Sequence, residues 1–319
     1  MKKKVLITGA SGFIGRNIWE YLSRCSDLEL SGTYFNHGLA DMPILRQSDL
    51  RQISEALAVT EKIDYIIHTA AVTAGLAAVA TDPNRYFTDS QRINDAVIEA
   101  AYLNSVPQFI FFSCTVLYPP YLGRPVRETD LDIDRIHPFY LAGAQVKLNG
   151  EKKCEQYAAT GHTRFTILRH SNIYGPYDKF GPHGHAFAAL AAQIIRVRDG
   201  GEIVINGDGS AERDLLSVSD LARCVKLVMD RQSPPYDVFN VGSGSAISIT
   251  ALARKMIQVS GKRLTIAYDN SRPSIDTKLT LDISKVREKF GWQPYISLDK
   301  GIRETLEWFS DQREKTEAD

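Results

Sequence analysis

Residues 5–15, VLITGASGFIG, decide the predicted fold. An apolar run that reads as a strand is followed by Gly9, Gly12 and Gly15, and the amphipathic pattern of a helix begins there. A strand, a glycine-rich turn and a helix in this order place the pyrophosphate of a dinucleotide at a helix N-terminus. The spacing is G-x-x-G-x-x-G, and a turn that merely connects strand and helix is the alternative. We therefore predict that a dinucleotide is bound by Gly9, Ser11, Gly12, Phe13, Ile14, Gly15 and Arg16.

Alternating strand and helix patterns continue through the first half of the chain. Such alternation predicts an α/β fold, a doubly wound parallel sheet of the Rossmann kind. After about residue 170 glycine and proline interrupt the rhythm, and the last helix is expected near 298–310. We predict a dinucleotide-binding domain over 1–170, to which the chain returns near 215–242, and a smaller α/β substrate-binding lobe over 171–319. The predicted strands are 5–8, 28–34, 64–70, 109–113 and 165–169, and the predicted helices lie near 12–23, 51–59, 88–104 and 140–159.

Composition excludes several classes of protein. The 319 residues contain 38 basic and 38 acidic side chains, so no excess charge suggests binding to nucleic acid or to an anionic membrane. Cys25, Cys114, Cys154 and Cys224 have neither disulfide nor metal spacing, which suits a reducing compartment. The apolar run before Gly9 is too short for a signal peptide, and no stretch approaches the roughly 18 apolar residues of a membrane span. We expect a cytoplasmic protein.

The end of the second predicted strand bears on cofactor choice. It reads GTYFNHG and has no Asp or Glu, the residues that usually bind the free ribose hydroxyls of NAD. Arg16 and His37 are candidates for a 2′-phosphate. NADP is therefore favoured and NAD remains the alternative, as does a solvated Arg16 without any ligand role.

Five further stretches, in order, carry a resemblance to a known family: TGASGFIG, DYIIHTAA, FFSCTVLYP, LRHSNIYGP and GDGSAERDLLSVSDLA. From residue 4 to about 309 the chain resembles the extended short-chain dehydrogenase/reductases. Among these it is most similar to the nucleotide-sugar epimerases and reductases of the GDP-fucose synthase type. The resemblance implies an NAD(P)-dependent enzyme that acts on a nucleotide-diphosphate sugar, as a 4-ketoreductase or an epimerase.

The resemblance also implies binding residues. Asp49 and Leu50 would bracket the adenine, and a planar guanidinium at Arg213 suits a substrate diphosphate. A surface ion pair between Arg213 and a nearby Asp is the alternative. The remaining residues implied are Ala70, Ala71, Lys147 and His170 for the cofactor, and Asn172 beside Arg213 for the substrate.

The catalytic motif of the family, Tyr-x-x-x-Lys, is incomplete in this sequence. Lys147 fits its lysine, which lowers the pKa of the tyrosine, but Gly143 stands in the tyrosine position. On a continuous helix starting near Pro138, Tyr140 would lie within about 20° of Lys147 around the axis and about 10 Å away along it. We predict that Tyr140 supplies the missing phenol, directly or through a bridging water.

Other family positions are also altered. The catalytic serine matches Cys114, next to Thr115, and an asparagine of the following helix matches Ser90. The cysteine used for epimerisation matches Val116, and its histidine partner matches His185. Because Val116 and Leu117 replace an acidic pair, 4,6-dehydration is not expected.

Several hypotheses for the chemistry of this site remain open. The proton comes from Tyr140, from His185, or from the substrate through Cys114 and Thr115. A different enzyme would use tightly bound NAD for elimination or epimerisation, and a catalytically degenerate NADP-binding regulatory subunit is the non-enzymatic alternative. His183 and His185 lack further ligands at metal spacing, so no metal is predicted.

A homodimer is also implied by the resemblance, through the helices at 88–104 and 140–159. The apolar residues Ile93, Val97 and Leu148 are consistent with an outer face, but the alternative is that they face the sheet.

Overall fold

The computed structural model describes residues 2–72, 83–181, 184–272 and 274–318. In the first half its strands and helices follow the predicted order, with one short strand, Arg46–Gln47, in addition. The strands are β1 (Lys3–Thr8), β2 (Leu28–Tyr34), β3 (Arg46–Gln47), β4 (Tyr65–His68), β5 (Gln108–Cys114), β6 (Arg164–His170), β7 (Asn172–Tyr174), β8 (Glu202–Asn206), β9 (Glu212–Ser217), β10 (Tyr236–Val241), β11 (Ala246–Ser248), β12 (Thr265–Asp269) and β13 (Lys278–Leu279). The helices are α1 (Phe13–Leu22), α2 (Ile53–Thr60), α3 (Pro83–Leu103), α4 (Leu141–Thr160), α5 (Ala186–Arg196), α6 (Val218–Arg231), α7 (Ile249–Ser260), α8 (Ser284–Phe290) and α9 (Leu298–Ala318).

The main sheet has the strand order β10-β6-β5-β4-β1-β2-β3, and each neighbouring pair is parallel. Strands such as β5, QFIFFSC, are apolar almost throughout because helices cover both faces of the sheet. One face packs against α1 and α6 through residues such as Ile18 and Val225, and the other against α3 and α4 through residues such as Val97 and Cys154. The predicted doubly wound parallel sheet is confirmed.

Smaller sheets follow β6. Strands β11, β9 and β13 form one sheet, in which β7 also pairs with β9, and β12 pairs with β8. A separate apolar cluster joins α5, α7 and α9 through Phe187, Leu252 and Ile302. This part of the chain begins directly after the carboxyl end of β6.

One helix prediction needs a correction. A 3-10 turn spans Pro138–Tyr140, and the α-helix begins only at Leu141. A 3-10 turn rises and rotates more per residue than an α-helix, so the predicted angle between Tyr140 and Lys147 does not apply. The cause is local: His137 caps the turn at the amide of Phe139, and Pro138 favours a first helical position.

The apolar residues considered for a dimer face point inward. Val97 and Leu148 are buried, and Ile93 packs against the cluster beneath α3. They therefore face the protein's own core, which was the alternative, and give no support to a dimer.

Two kinds of feature are absent from the described residues. No helix there is long and apolar enough to cross a bilayer. The described His, Cys, Asp and Glu residues form no group of three suited to a metal ion, and His183 lies outside the described residues.

Candidate active site

The glycine turn at the end of β1 leaves no room for side chains. Gly9 has φ of 68°, and a Cβ there would lie 2.8 Å from Cα of Ala70. A Cβ on Gly15 would lie 2.4 Å from the carbonyl oxygen of Gly9. Gly12 is the N-cap of α1, which has no side-chain cap and no acid in its first turn. Its first amides are therefore available to an anion, and the turn fits a dinucleotide pyrophosphate.

Arg16 is held by its neighbours rather than solvated. Its guanidinium forms ion pairs with Asp41 and with Glu20, and it lies 3.9 Å from the ring centroid of Tyr177. Its side chain is 16% exposed, whereas His37 is exposed. Asp41, whose carboxylate pairs with Arg16, follows β2 in the connection to β3.

The residues predicted for the adenine have other partners in this structure. Both carboxylate oxygens of Asp49 accept hydrogen bonds from Arg51 at 2.8 Å, and the Arg51 hydrogen bond lowers the pKa of Asp49. Arg51 also binds Asp89 at 3.0 Å. The Leu50 side chain is buried in the core, so its backbone is what remains for a ligand.

Lys147 reaches the end of β5. Its Nζ donates a hydrogen bond to the carbonyl oxygen of Phe112 at 2.7 Å. Burial lowers the pKa of Lys147, while Cys114 and Glu151 act in the opposite direction. The lysine that the sequence predicts is thus at the carboxyl edge of the parallel sheet, where ligands of such folds bind.

Cys114 lies close enough to influence the ionisation of both Lys147 and Tyr140. Burial raises the pKa of the Cys114 thiol, so it is protonated at neutral pH. Ser90 stands in the asparagine position. Its hydroxyl accepts a hydrogen bond from the backbone N–H of Val72 at 3.2 Å and can donate one to the carbonyl oxygen of Val72 at 3.3 Å. It holds the connection after β4.

Two histidines lie at the same edge. His170 ends β6, donates from Nδ1 to the carbonyl oxygen of Ser171 at 2.8 Å, and has its pKa lowered to about 4 by burial. His185 is the N-cap of α5 and acts electrostatically on both His170 and Asp178. The structure therefore brings the end of β6 and the start of α5 together.

A cavity of about 60 Å³ lies just beyond the end of β5, where Thr115 and Val116 line it. Arg213 is fixed in its lining by hydrogen bonds to the Thr277 hydroxyl at 2.6 Å and to the carbonyl oxygens of Thr277 and Ile275 at 3.0 Å. Within the described ranges Arg213 has no ion pair, so the alternative of a surface ion pair is not seen. The lining consists of Thr115, Val116, Tyr118, Pro120, His137, Tyr140, Asn172, Glu212, Arg213, Thr277 and Leu279.

Tyr140 lies in this lining together with the predicted substrate residues. Burial raises its pKa and Arg213 lowers it. Cys114 acts in the same direction as burial on the pKa of Tyr140. Tyr140 is thus grouped with Arg213 and Asn172 in the cavity.

A buried polar network lies behind the site. Arg169 binds both carboxylate oxygens of Glu151, at 3.0 and 2.6 Å, and donates to the Tyr118 hydroxyl at 3.1 Å. Tyr118 in turn donates to Asn240 at 2.7 Å. The ion pair fastens α4 to β6 one helical turn from Lys147, and the network holds Tyr118 against the cavity.

Sequence reasoning missed several residues around the site. His137, Thr277 and Asp41 belong to no motif, and the fold brings them in from separate connections. Only Arg169 could have been found from the sequence, because it directly precedes the histidine of the LRHSNIYGP motif. A charged residue inside an apolar strand, RFTILRH, needs a buried partner.

Comparison with known proteins agrees with this geometry. The family model "NAD dependent epimerase/dehydratase family" matches residues 5–242, and the chain belongs to that family of enzymes. A relative is the "Probable GDP-L-fucose synthase 1" of Oryza sativa subsp. japonica, 30% identical, with 96% of this chain and 92% of that protein covered. The GDP-L-fucose synthase of Escherichia coli is 27% identical over 98% of both chains.

A solved structure shares the fold. The UDP-glucose 4-epimerase of Thermotoga maritima, determined with UDP-glucose, has a TM-score of 0.85 and 24% identity, and the match covers 97% of this chain and 99% of that one. The family model and the GDP-L-fucose synthase relatives confirm the resemblance to the nucleotide-sugar epimerases and reductases among the extended short-chain dehydrogenase/reductases.

Proposed function

We propose that this protein is an NAD(P)-dependent nucleotide-sugar 4-ketoreductase or 4-epimerase. The observation that carries the proposal is the cavity in which Arg213, Asn172, Thr115 and Tyr140 meet at the carboxyl edge of the sheet. The names of the relatives, GDP-L-fucose synthases, support a nucleotide-sugar substrate. The UDP-glucose bound in the related epimerase structure supports the same class.

The substrate diphosphate would be held by Arg213 and Asn172. Four backbone or hydroxyl oxygens, from Glu212, Ile275 and Thr277, orient the guanidinium of Arg213 without neutralising its charge. A fixed planar guanidinium is suited to phosphate oxygens. Burial strengthens this attraction because it reduces screening by water.

The cofactor would lie along Gly9–Gly15, with Ala70 and Ala71 beside its path, Asp49 and Leu50 near the adenine, and His170 and Lys147 at the nicotinamide end. We propose NADP over NAD because β2 ends without a carboxylate and Arg16 is nearby. Asp41 competes for Arg16, so Asp41→Asn should tighten NADP binding more than NAD binding. Calorimetric titration of both cofactors tests this, and a preference for NAD in the parent protein would contradict it.

The bound cofactor would supply or accept the hydride at a sugar carbon. In ketone reduction the carbonyl oxygen becomes a hydroxyl and takes one proton, which we assign to Tyr140, whose phenol lines the cavity. His185, or the substrate itself through Cys114 and Thr115, are the other routes. Lys147 would hold the nicotinamide ribose, as its place at the end of β5 allows.

The decisive experiment supplies the protein with NADPH and GDP-4-keto-6-deoxymannose while absorbance at 340 nm is followed. A parallel sample with UDP-glucose and NAD is examined by NMR for the 4-epimer. Turnover in either supports the proposal and selects the reaction. Turnover in neither, with NADP bound, supports a second candidate.

That second candidate is a catalytically degenerate regulatory subunit that binds NADP. Gly143 in the tyrosine position favours it, since a general acid typically contributes 10²–10⁴-fold in rate. Cys114, in the position of the family's catalytic serine, and Ser90, in the position of a family asparagine, point the same way. The intact glycine turn and Lys147 fit both candidates.

Three further proposals concern the domains, the cellular compartment and the assembly. The nucleotide-binding domain is 1–170 with the return near 215–242, and 171–319 is the substrate lobe. The four described cysteines are free, which supports a reducing cytoplasm. A homodimer through α3 and α4 rests on the family resemblance alone, and sedimentation at micromolar concentration tests it.

A further inference from the structure

His137 shares the cavity with Tyr140 but belongs to none of the sequence motifs. It precedes the 3-10 turn, and its ring lies 5.8 Å from that of Tyr140, tilted by 58°. The ring is half-buried. His137 is therefore part of the cavity wall, and its position is coupled to that of the phenol.

The hydrogen bonding of His137 defines its tautomer. Nδ1 accepts the backbone N–H of Phe139 at 3.2 Å. A nitrogen that accepts a hydrogen bond carries no proton, so in the neutral imidazole the proton lies on Nε2. Among the described residues Nε2 has no hydrogen-bond partner. It is thus a hydrogen-bond donor on a ring that lines the cavity and whose other nitrogen is bonded to the backbone.

The chemistry of the lining separates two kinds of ligand group. Arg213 is a charged fork, suited to a diphosphate. His137, Tyr140 and Thr115 are neutral groups that can donate single hydrogen bonds, which suits hydroxyl or carbonyl oxygens. A nucleotide sugar carries both groups, with the sugar oxygens beyond the diphosphate.

We propose that His137 is a substrate-specificity residue that donates a hydrogen bond from Nε2 to an oxygen of the sugar, beside Tyr140. This inference rests on the proposed nucleotide-sugar substrate and adds the residue that distinguishes the sugar from the bare nucleotide. The hydrogen bond from His137 to the sugar forms when the substrate binds. Its loss therefore weakens substrate binding without removing a proton donor.

Two substitutions distinguish the roles of the two ring nitrogens of His137. His137→Asn places an amide oxygen near the Nδ1 position, so the Phe139 amide keeps an acceptor while the Nε2 donor is lost. His137→Gln extends an amide N–H toward the Nε2 position. Thermal melting and circular dichroism establish that each variant is folded.

Binding is measured calorimetrically with four probes: GDP-mannose, GDP, UDP-glucose and UDP. For the nucleotide sugar that binds, His137→Asn should weaken binding by about 3- to 10-fold, the effect of one lost neutral hydrogen bond. Binding of the matching nucleoside diphosphate should change by less than about twofold, and His137→Gln should retain most of the parent affinity for the sugar form. kcat should change less than KM.

The outcomes are distinguishable. If the parent binds a nucleotide sugar and His137→Asn binds it equally well, or loses the nucleoside diphosphate to the same extent, the inference is wrong and the proposed function stands. If the parent binds none of the sugar nucleotides, the proposed function fails and this inference fails with it. If His137→Asn does not fold, equal affinity of His137→Gln and a donor-free His137→Phe for the sugar nucleotide overturns the inference.

Discussion

The ring of Phe87 lies beside Gly143: a Cβ on residue 143 would stand 3.3 Å from Cε1 of Phe87, with no other described atom within 4 Å apart from neighbouring residues and the helix's own backbone. A contact of this length is tight, but a ring edge can move by the few tenths of an ångström that it requires. Next to residue 143, the space that the family's tyrosine side chain would enter is therefore not occupied by backbone.

The first prediction follows from this space. Gly143→Tyr, introduced into a Tyr140→Phe background, should recover at least about tenfold of the lost rate, since it returns a phenol one turn before Lys147. Initial rates with the active substrate measure the effect. Rates no better than those of Tyr140→Phe alone would show that the site no longer accepts a phenol from residue 143.

The second prediction concerns Tyr140 itself. Tyr140→Phe should lower kcat by about 10²–10⁴-fold, because it removes a general acid and leaves the ring in place. Tyr295→Phe is the control, since Tyr295 is 81% exposed. Parent-like rates for Tyr140→Phe together with an inactive His185→Ala would assign the proton to His185, and no effect of either would favour the regulatory candidate.

The third prediction concerns the thiol in the serine position. Cys114→Ser should keep kcat within about threefold of the parent, because the hydroxyl restores the family's group and is the better hydrogen-bond donor. Since burial raises the pKa of Cys114, its alkylation by iodoacetamide at pH 7 should be slow. Rapid loss of activity with iodoacetamide in the parent but not in Cys114→Ser would contradict the protonated thiol.

The fourth prediction is a pH dependence of stability. Burial lowers the pKa of His68 to about 4 from a usual 6.5, and the ring bonds Thr8 at 2.8 Å and Asn94 at 3.1 Å. Below about pH 6.5 the unfolded chain gains a proton that the folded chain does not. The free energy of unfolding should therefore fall as the pH drops toward 4, by about 1.4 kcal/mol per pH unit for one such histidine.

Urea denaturation between pH 7 and pH 4.5 measures this slope. His68→Gln should reduce it by about one proton's contribution, and the contribution of His170, whose pKa is also lowered to about 4, should remain. His162→Gln is the control because His162 is exposed. A slope unchanged by His68→Gln would show that His68 does not titrate in this way.

The fifth prediction concerns the buried ion pair behind the site. Glu151→Gln should lower the free energy of unfolding by about 3–5 kcal/mol, because the charge of Arg169 is left without its buried partner. Glu155→Gln, on the exposed side of the same helix, is the matched control. Equal melting temperatures for the two variants would show that the pair contributes little.

The sheet was predictable because each of its strands is a local signal. The run LELSGTY predicts a strand over 28–34, and the structure has that strand, Leu28–Tyr34. The position of Tyr140 was not predictable in the same way. A 3-10 turn that begins with proline and an α-helix have similar residue patterns. The difference of about 20° in rotation per residue decides which wall the phenol lines.

The far side of the site escaped prediction for a different reason. Thr277 and His137 come close only because β9 pairs with β13 and the turn at Pro138–Tyr140 packs over the same cavity. Contacts between distant segments leave no periodic trace in a sequence. The glycine turn did leave a local sequence pattern, because a side chain on any of its three glycines would come too close to atoms of the turn or of Ala70.

Strand β10 has a consequence for how such proteins diverge. It forms the outer edge of the main sheet against β6, although the chain reaches it only after building β7, β8 and β9. A genetic exchange that replaced everything after β6 would bare the hydrogen-bonding edge of β6 unless the incoming segment carried a strand in matching register. Because β9 also pairs with β11 and β13, and β8 pairs with β12, a new substrate region is acquired most safely when the segments before and after β10 are exchanged together and β10 itself is kept.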